Sequence, residues 1–123
     1  MARSSERKAL YKLATIAEKI LNLPKTASKI LKTLVRSRKK LNVNQVVKRV
    51  DRSERSVRKH LVFLTRKGIL ERKAIKTARG KLAYIYYMAP VEKISAVLRR
   101  EISRTTRKLD EIARPLKAGN QRV

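Results

Sequence analysis

Ser53, Arg55, Ser56, Arg58 and Lys59 fall within one seven-residue stretch of the sequence, and Lys76, Arg79 and Lys81 within another of six. The chemistry open to these side chains is narrow. A guanidinium is a rigid fork that can grip two acceptors at once, an ammonium is a point charge for an oxyanion, and a serine hydroxyl donates to an oxyanion or caps a helix. None is a nucleophile or a base without a partner, and partners are scarce. The chain has no Cys, a single histidine at His60, and nine scattered acidic residues. Disulfides, thiol nucleophiles, thiolate metal sites and paired-His zinc sites are excluded. With no nucleophile–base pair, carboxylate cluster or Gly-rich phosphate loop in view, no metal, no cofactor and no enzymatic activity is expected. His60 sits beside an inward-facing stripe and reads as a packing or hydrogen-bonding residue.

What these cations can do is bind phosphate. The 123 residues carry 34 Lys+Arg against 9 Asp+Glu, a formal charge of +25. Residues 25–81 hold 20 basic and 3 acidic side chains, residues 91–123 hold 9 and 4, and residues 1–24 hold 5 and 2. Such an excess attracts any polyanion, so nucleic acid is the leading partner class. The longest stretch without a charged residue, Leu82 to Val91, is ten residues, half of the ~20 that a membrane helix needs. Lys12, Glu18 and Lys19 interrupt the apolar segment that would otherwise suit a signal peptide. No membrane partner is expected, and the chain reads as a soluble, cytoplasmic single domain.

The elements that must position the two clusters follow from periodicity. After a basic tail at residues 1–5, Leu10, Leu13, Ala14, Ala17, Ile20 and Leu21 form one helical stripe. Asn22-Leu23-Pro24 breaks it, because the residue before proline avoids the helical region and proline suits a new first turn. A second helix from about Lys25 buries Ala27, Ile30, Leu31, Leu34 and Val35 and ends in the basic run Arg36 to Lys40. Asn44 is then expected to cap a short helix carrying Val46, Val47 and Val50, with Asp51-Arg52 as a tight turn and Ser53 as the next cap. The helix opened by Ser53 turns Val57, Leu61 and Leu64 inward and leaves Arg55, Ser56, Arg58, Lys59 and Arg66 on other faces, until Gly68 ends it with a left-handed cap.

Beyond Gly68 the period becomes two. Ile69–Ile75 and Lys81–Met88 read as a β-hairpin whose polar tip is Lys76-Thr77-Ala78-Arg79-Gly80. Alternation in so small a sheet assigns one or two of Tyr84, Tyr86 and Tyr87 to the core. From Val91 a last helix is expected to run to Arg114, where Pro115 should stop it, leaving residues 115–123 irregular. Its positions Ile94, Leu98, Ile102, Thr105, Leu109 and Ile112 follow a near-heptad spacing and predict a coiled-coil-like seam with a second copy, a homodimer.

Helix, short helix, turn, capped helix, glycine, strand, basic loop and strand is the order of a winged helix-turn-helix. The fold class is therefore mainly α with a small β-hairpin. Residues 1–22 form a basic tail and N-terminal helix, residues 23–90 the winged domain, residues 91–114 the dimerisation helix and residues 115–123 a tail. Leu23-Pro24-Lys25-Thr26-Ala27 with Ile30, Leu31 and Leu34, then Ser53 to Leu64 with Lys67-Gly68-Ile69-Leu70, then Arg79-Gly80-Lys81 through Glu92, resemble archaeal winged-helix transcriptional regulators of the TrmB type. The likeness covers residues 23–114. Val47, Asp51 and Arg52 depart from the family's small residue, turn glycine and following aliphatic, and Asp is the departure that a left-handed turn tolerates best. No effector pocket is expected, since nothing after the last helix matches the family's sugar-binding domain.

The resemblance implies that the start of the helix at Ser53 enters the major groove of double-stranded DNA. Arg55 or Arg58 would then bridge guanine O6 and N7, while Ser53, Ser56 and Lys59 hold phosphates. Arg79 would reach the minor groove, flanked on the backbone by Lys76 and Lys81. Two copies would present their helices ~34 Å apart. A nucleoid-associated architectural protein coating DNA with little sequence preference is the alternative for the same surface. RNA is a third candidate partner, separable by competition.

Overall fold

The computed structural model describes residues 2–37 and 39–121, with side chains for 5–37 and 39–117; Arg38 of the basic run and residues 122–123 of the tail lie outside the described residues. The elements are α1 (Ala2–Ile20), α2 (Lys25–Arg36), β1 (Leu41–Asn42), α3 (Val43–Val50), α4 (Glu54–Lys67), β2 (Leu70–Lys76), β3 (Leu82–Met88) and α5 (Val91–Gln121). The sheet is antiparallel with order β1-β3-β2.

The apolar stripes meet where their spacing puts them. Ala27, Ile30 and Leu31 of α2 are fully buried, as are Val46 of α3 and Val57, Leu61 and Leu64 of α4. α2 packs on α1, α3 and α4, and is the helix around which the core closes. Two helix ends use one device. Asn22 (φ 50) and Gly68 (φ 85) both take the left-handed conformation. The amides of Leu23 and Ile69 reach back to the carbonyls of Glu18 and Leu64, at 2.9 and 3.1 Å, which satisfies carbonyls that a helix end leaves open.

Asp51 (φ 54, ψ 53) is also left-handed and caps α3, so the turn between α3 and α4 keeps its usual backbone with Asp in place of glycine. Ser53 opens α4, its hydroxyl oxygen accepting from the Ser56 amide at 3.2 Å.

The structure corrects four local expectations. The cap of α3 is Asn42, not Asn44: its side chain accepts from the Gln45 amide and the Gln45 side chain accepts from the Asn42 amide, each at 2.9 Å. The chain leaves strand pairing at Asn42, which is still extended, so the cap falls there and Asn44 is already inside the first turn. Leu41-Asn42 form a third strand, paired to Tyr86 and Ile85, too short for any periodicity to show. α1 starts at Ala2, so most of the expected tail is helical. α5 continues through Pro115 to Gln121; a proline removes one intrahelical hydrogen bond and can bend a helix without ending it, and Leu116 and Lys117 after it favour continuation.

The expected seam on α5 divides. Ile94 (0% exposed) and Leu98 (4%) are part of the chain's own core, because the first turns of α5 close over the C-terminal end of α4 and against α1. They are not free to pair with another copy. Ile102, Leu109, Ile112 and Leu116 are exposed, and so is Thr105.

Candidate nucleic-acid interface

The geometry of the interface starts from two caps. Ser53 fixes where α4 begins, and Asn42 ties the start of α3 to the sheet. Since α3 and α4 are then held at their turn by Asp51, the first turns of both helices and the hairpin converge. A cleft of about 370 Å³ lies among them, lined by Asn44 of α3, Arg58 of α4, and Thr77, Leu82 and Tyr84 of the hairpin.

The hairpin tip is closed tightly. The Thr77 amide donates to the Lys81 carbonyl at 2.8 Å, the Gly80 amide to the Thr77 carbonyl at 2.9 Å, and the Lys81 amide to the Thr77 hydroxyl at 3.2 Å. Gly80 (φ 77) supplies the left-handed residue that returns the chain to β3. Arg79 stands at the tip, exposed, with exposed Lys76 and Lys81 on either side.

On α4, Arg55 and Lys59 are exposed, and neither meets a carboxylate among the described residues. Arg58 does: it donates to Glu54 at 3.0 Å, both side chains more than half exposed. Ser56 is half-buried, and the Ser53 oxygen already serves the helix, which leaves its hydroxyl hydrogen for another acceptor. Of the cations singled out, Arg58 alone lines the cleft, across from Thr77, Leu82 and Tyr84 of the hairpin; Arg55, Lys59, Lys76, Arg79 and Lys81 are exposed outside it.

Several surface features were not apparent in the sequence. Opposite pairs in a sheet share a face, so Leu82, Tyr84, Tyr86 and Met88 line one side of β3, together with Leu70, Arg72, Ala74 and Lys76 of β2. The inner end of that face is core: Tyr86 is 4% exposed and Leu70 1%. The outer end is not; Leu82 is 73% exposed and Tyr84 42%. The Arg72 guanidinium lies 4.2 Å from the centre of the Tyr84 ring, and the Lys40 ammonium lies 4.2 Å from that of half-buried Tyr87. Each ring therefore holds a cation in place. Val62 and Phe63 are also exposed on α4. Strand alternation placed these residues on a face, but where the core stops along that face depends on α3 and α4.

His60 is half-buried on α4. Burial first, and the neighbouring Lys59 charge second, hold its pKa below the ordinary histidine value. Among the described residues no group of three or more His, Cys, Asp or Glu side chains could hold a metal ion, and no helix is long and apolar enough to cross a membrane.

Two helices joined by a capped turn, a three-stranded sheet and a basic hairpin tip define a winged helix-turn-helix. Residues 28–74, from inside α2 to β2, match the model of a DeoR-like helix-turn-helix domain. Among solved structures, a possible transcriptional regulator from Methanosarcina mazei is similar with a TM-score of 0.71 and 18% identity, over 82% of this chain and 85% of that one. A point mutant of Staphylococcus aureus MepR bound to an oligodeoxyribonucleotide has a TM-score of 0.52 and 19% identity, over 97% and 88%. The Aeropyrum pernix ORC1 protein in complex with DNA gives 0.53 and 14%, over 83% of this chain and 30% of that one. At these identities the likeness is one of fold. No curated protein matches the chain.

Proposed function

We propose that the protein is a dimeric transcriptional regulator of double-stranded DNA, of which the TrmB-type archaeal regulators are the class its motif order resembles. The first turns of α4 enter the major groove, with Arg55 reading guanine and Ser53, Ser56, Lys59 and Arg58 on or near phosphates. Arg79 meets the minor groove or its backbone, with Lys76 and Lys81 beside it. The cleft between α4 and the wing takes one sugar–phosphate strand: Leu82 and Tyr84 lie against deoxyribose while Asn44, Thr77 and Arg58 face phosphate oxygens. The exposed positions Ile102, Thr105, Leu109, Ile112 and Leu116 of α5 pair with those of a second copy and set two half-sites about one helical turn apart. The protein works as a binding module on the chromosome, in the cytoplasm.

The observation that carries this reading is the shared cleft, which puts a recognition-helix arginine and the root of a basic wing on opposite walls of a channel. Selection from randomised duplexes at moderate salt tests it: an enriched pseudo-palindrome is expected, and binding should weaken with a slope of about 0.9 per neutralised phosphate as salt rises. A slope near zero refutes it.

The total charge favours a second reading, architectural coating of DNA, since cations also cover surfaces away from α4 and the wing. The ratio of specific to non-specific affinity at one salt concentration separates the two: about 10³ or more for a regulator, near one for a coating protein.

A further inference from the structure

Arg100, Arg107 and Arg114 recur every seven residues along α5, and so do Ile102, Leu109 and Leu116. Two residues of an α-helix amount to about 200° of rotation. The arginine row therefore stands on the opposite side of α5 from the apolar row. All six side chains are exposed. Arg104 and Lys108, also exposed, flank the arginines, while exposed Glu111 stands in the row between Arg107 and Arg114 and Asp110 beside it, so the face is cationic by excess rather than throughout. Among the described residues the ion pair within this stretch is Arg104–Glu101 at 3.5 Å, so the three arginines of the row keep their full charge.

The start of α5, from which this row extends, lies away from the cleft. Gly68, which ends α4, faces α5 so closely that a Cβ there would lie 3.1 Å from Val97 Cγ2, and Lys93 bonds Glu71 near the start of β2 at 3.2 Å. α5 therefore leaves the body at the end of α4 opposite to Ser53, and the 14 residues of α4 span about 21 Å. From Arg99 to Lys117 only Glu101 and Ala113 are even half-buried. Pairing of the apolar row with a second copy would turn the arginine row outward, so dimerisation preserves the surface.

We propose that the Arg100–Arg107–Arg114 face of α5 binds a second segment of duplex DNA, so that one particle joins two duplexes. The proposal rests on reading α4 and the wing as the first DNA surface. Three guanidiniums with no ion pair among the described residues, spread over about 21 Å of helix, complement a rod carrying one negative charge per ~1.7 Å of axis. Residues 91–123 contain no aromatic side chain, so this face has nothing on which unpaired bases could stack; it suits the outside of a duplex, and contacts to phosphate alone make it indifferent to sequence.

The test uses the full chain, one duplex fixed to beads and a second, fluorescent duplex in solution. The native protein is expected to retain the fluorescent duplex on the beads. The variant R100Q/R107Q/R114Q, whose glutamines favour helix nearly as well as arginine, should lose about tenfold of that retention while its affinity for a single short duplex stays within about threefold of native. Absence of retention by the native protein, or undiminished retention by the triple variant, overturns the proposal; the latter would mean that two wings bridge without α5. A parallel fall in single-duplex affinity also overturns it, by placing the row on the same duplex as the wing. Arg55→Gln is measured alongside: unchanged single-duplex affinity in that variant refutes the reading of α4 and leaves the α5 result to stand by itself.

Discussion

Arg58 donates to the Glu54 carboxylate one turn behind it at 3.0 Å, while Arg55 on the same helix start has no such partner among the described residues. Two arginines that are equivalent in sequence are therefore unequal in the field they present. The pair is exposed and contributes only about 0.3–0.5 kcal/mol, so a phosphate can take Arg58 away from Glu54. Arg55→Gln should cost ~1–3 kcal/mol of discrimination at its base pair, and Arg58→Gln less. Glu54→Gln frees a cation and removes an anion, so it should tighten DNA binding. Fluorescence anisotropy across a salt series reads all three, and weaker binding by Glu54→Gln would contradict the placement of this helix start on DNA.

Gly68 and Gly80 both adopt positive φ, but only Gly68 has a neighbour in the way: a Cβ there would meet Val97 Cγ2 at 3.1 Å, whereas one at Gly80 would meet open space. An alanine in the left-handed conformation costs roughly 1–2 kcal/mol. Gly80→Ala should show about that loss in urea unfolding, and Gly68→Ala a larger one, since Val97 must also move.

The division of α5 gives its first turns to the fold and leaves its later apolar positions for the proposed association. Leu98→Ala opens a cavity in the core and should cost ~2–5 kcal/mol of stability. Leu109→Glu and Ile112→Glu alter exposed positions and should leave the unfolding midpoint of the monomer in place while halving the sedimenting mass. A variant pair that stays dimeric would remove α5 from the interface.

Asn42 and Asn44 can be compared directly by thermal unfolding. Asn42→Ala breaks a two-way capping box and should cost about 1 kcal/mol; Asn44→Ala removes no cap and should be close to neutral in stability, its effect falling on DNA affinity instead.

His60 has a folded pKa below its ordinary 6.5, so the fold prefers the neutral imidazole. The stabilisation is complete above that ordinary value and is lost as pH falls through the lower, folded one. Stability should therefore decline on acidification below 6.5, and His60→Gln should flatten the decline. An unchanged pH profile in the variant would place the acid sensitivity elsewhere.

The helical part of the fold was legible because its signals are local and repeated. Ala27, Ile30, Leu31 and Leu34, or Val57, Leu61 and Leu64, announce their burial by spacing alone, and Ser53 and Gly68 mark the ends of α4. What escaped depends on contacts distant in sequence. Leu41-Asn42 is a strand only because Tyr86 and Ile85 lie beside it, and Ile94 and Leu98 belong to the core only because α5 folds back over Gly68. For the candidate site, the cations could be picked out by type and position, whereas the partnership of Arg58 and the stacking of Arg72 on Tyr84 needed side chains in place. Pro115 shows the limit of a local rule: it forbids one hydrogen bond, and the helix goes on without it.

Asn42 belongs to two structures at once, as the last residue of β1 and the cap of α3. It adds a second tie between the hairpin and the helix pair to the direct packing of β2 on α4 and of β3 on α2, so the hairpin has little latitude to rock by itself. A stiff clasp of this kind leaves the duplex as the softer member, and the accommodation falls on the DNA. Sites rich in easily deformed pyrimidine–purine steps should then be gripped better than rigid ones carrying the same contacted bases.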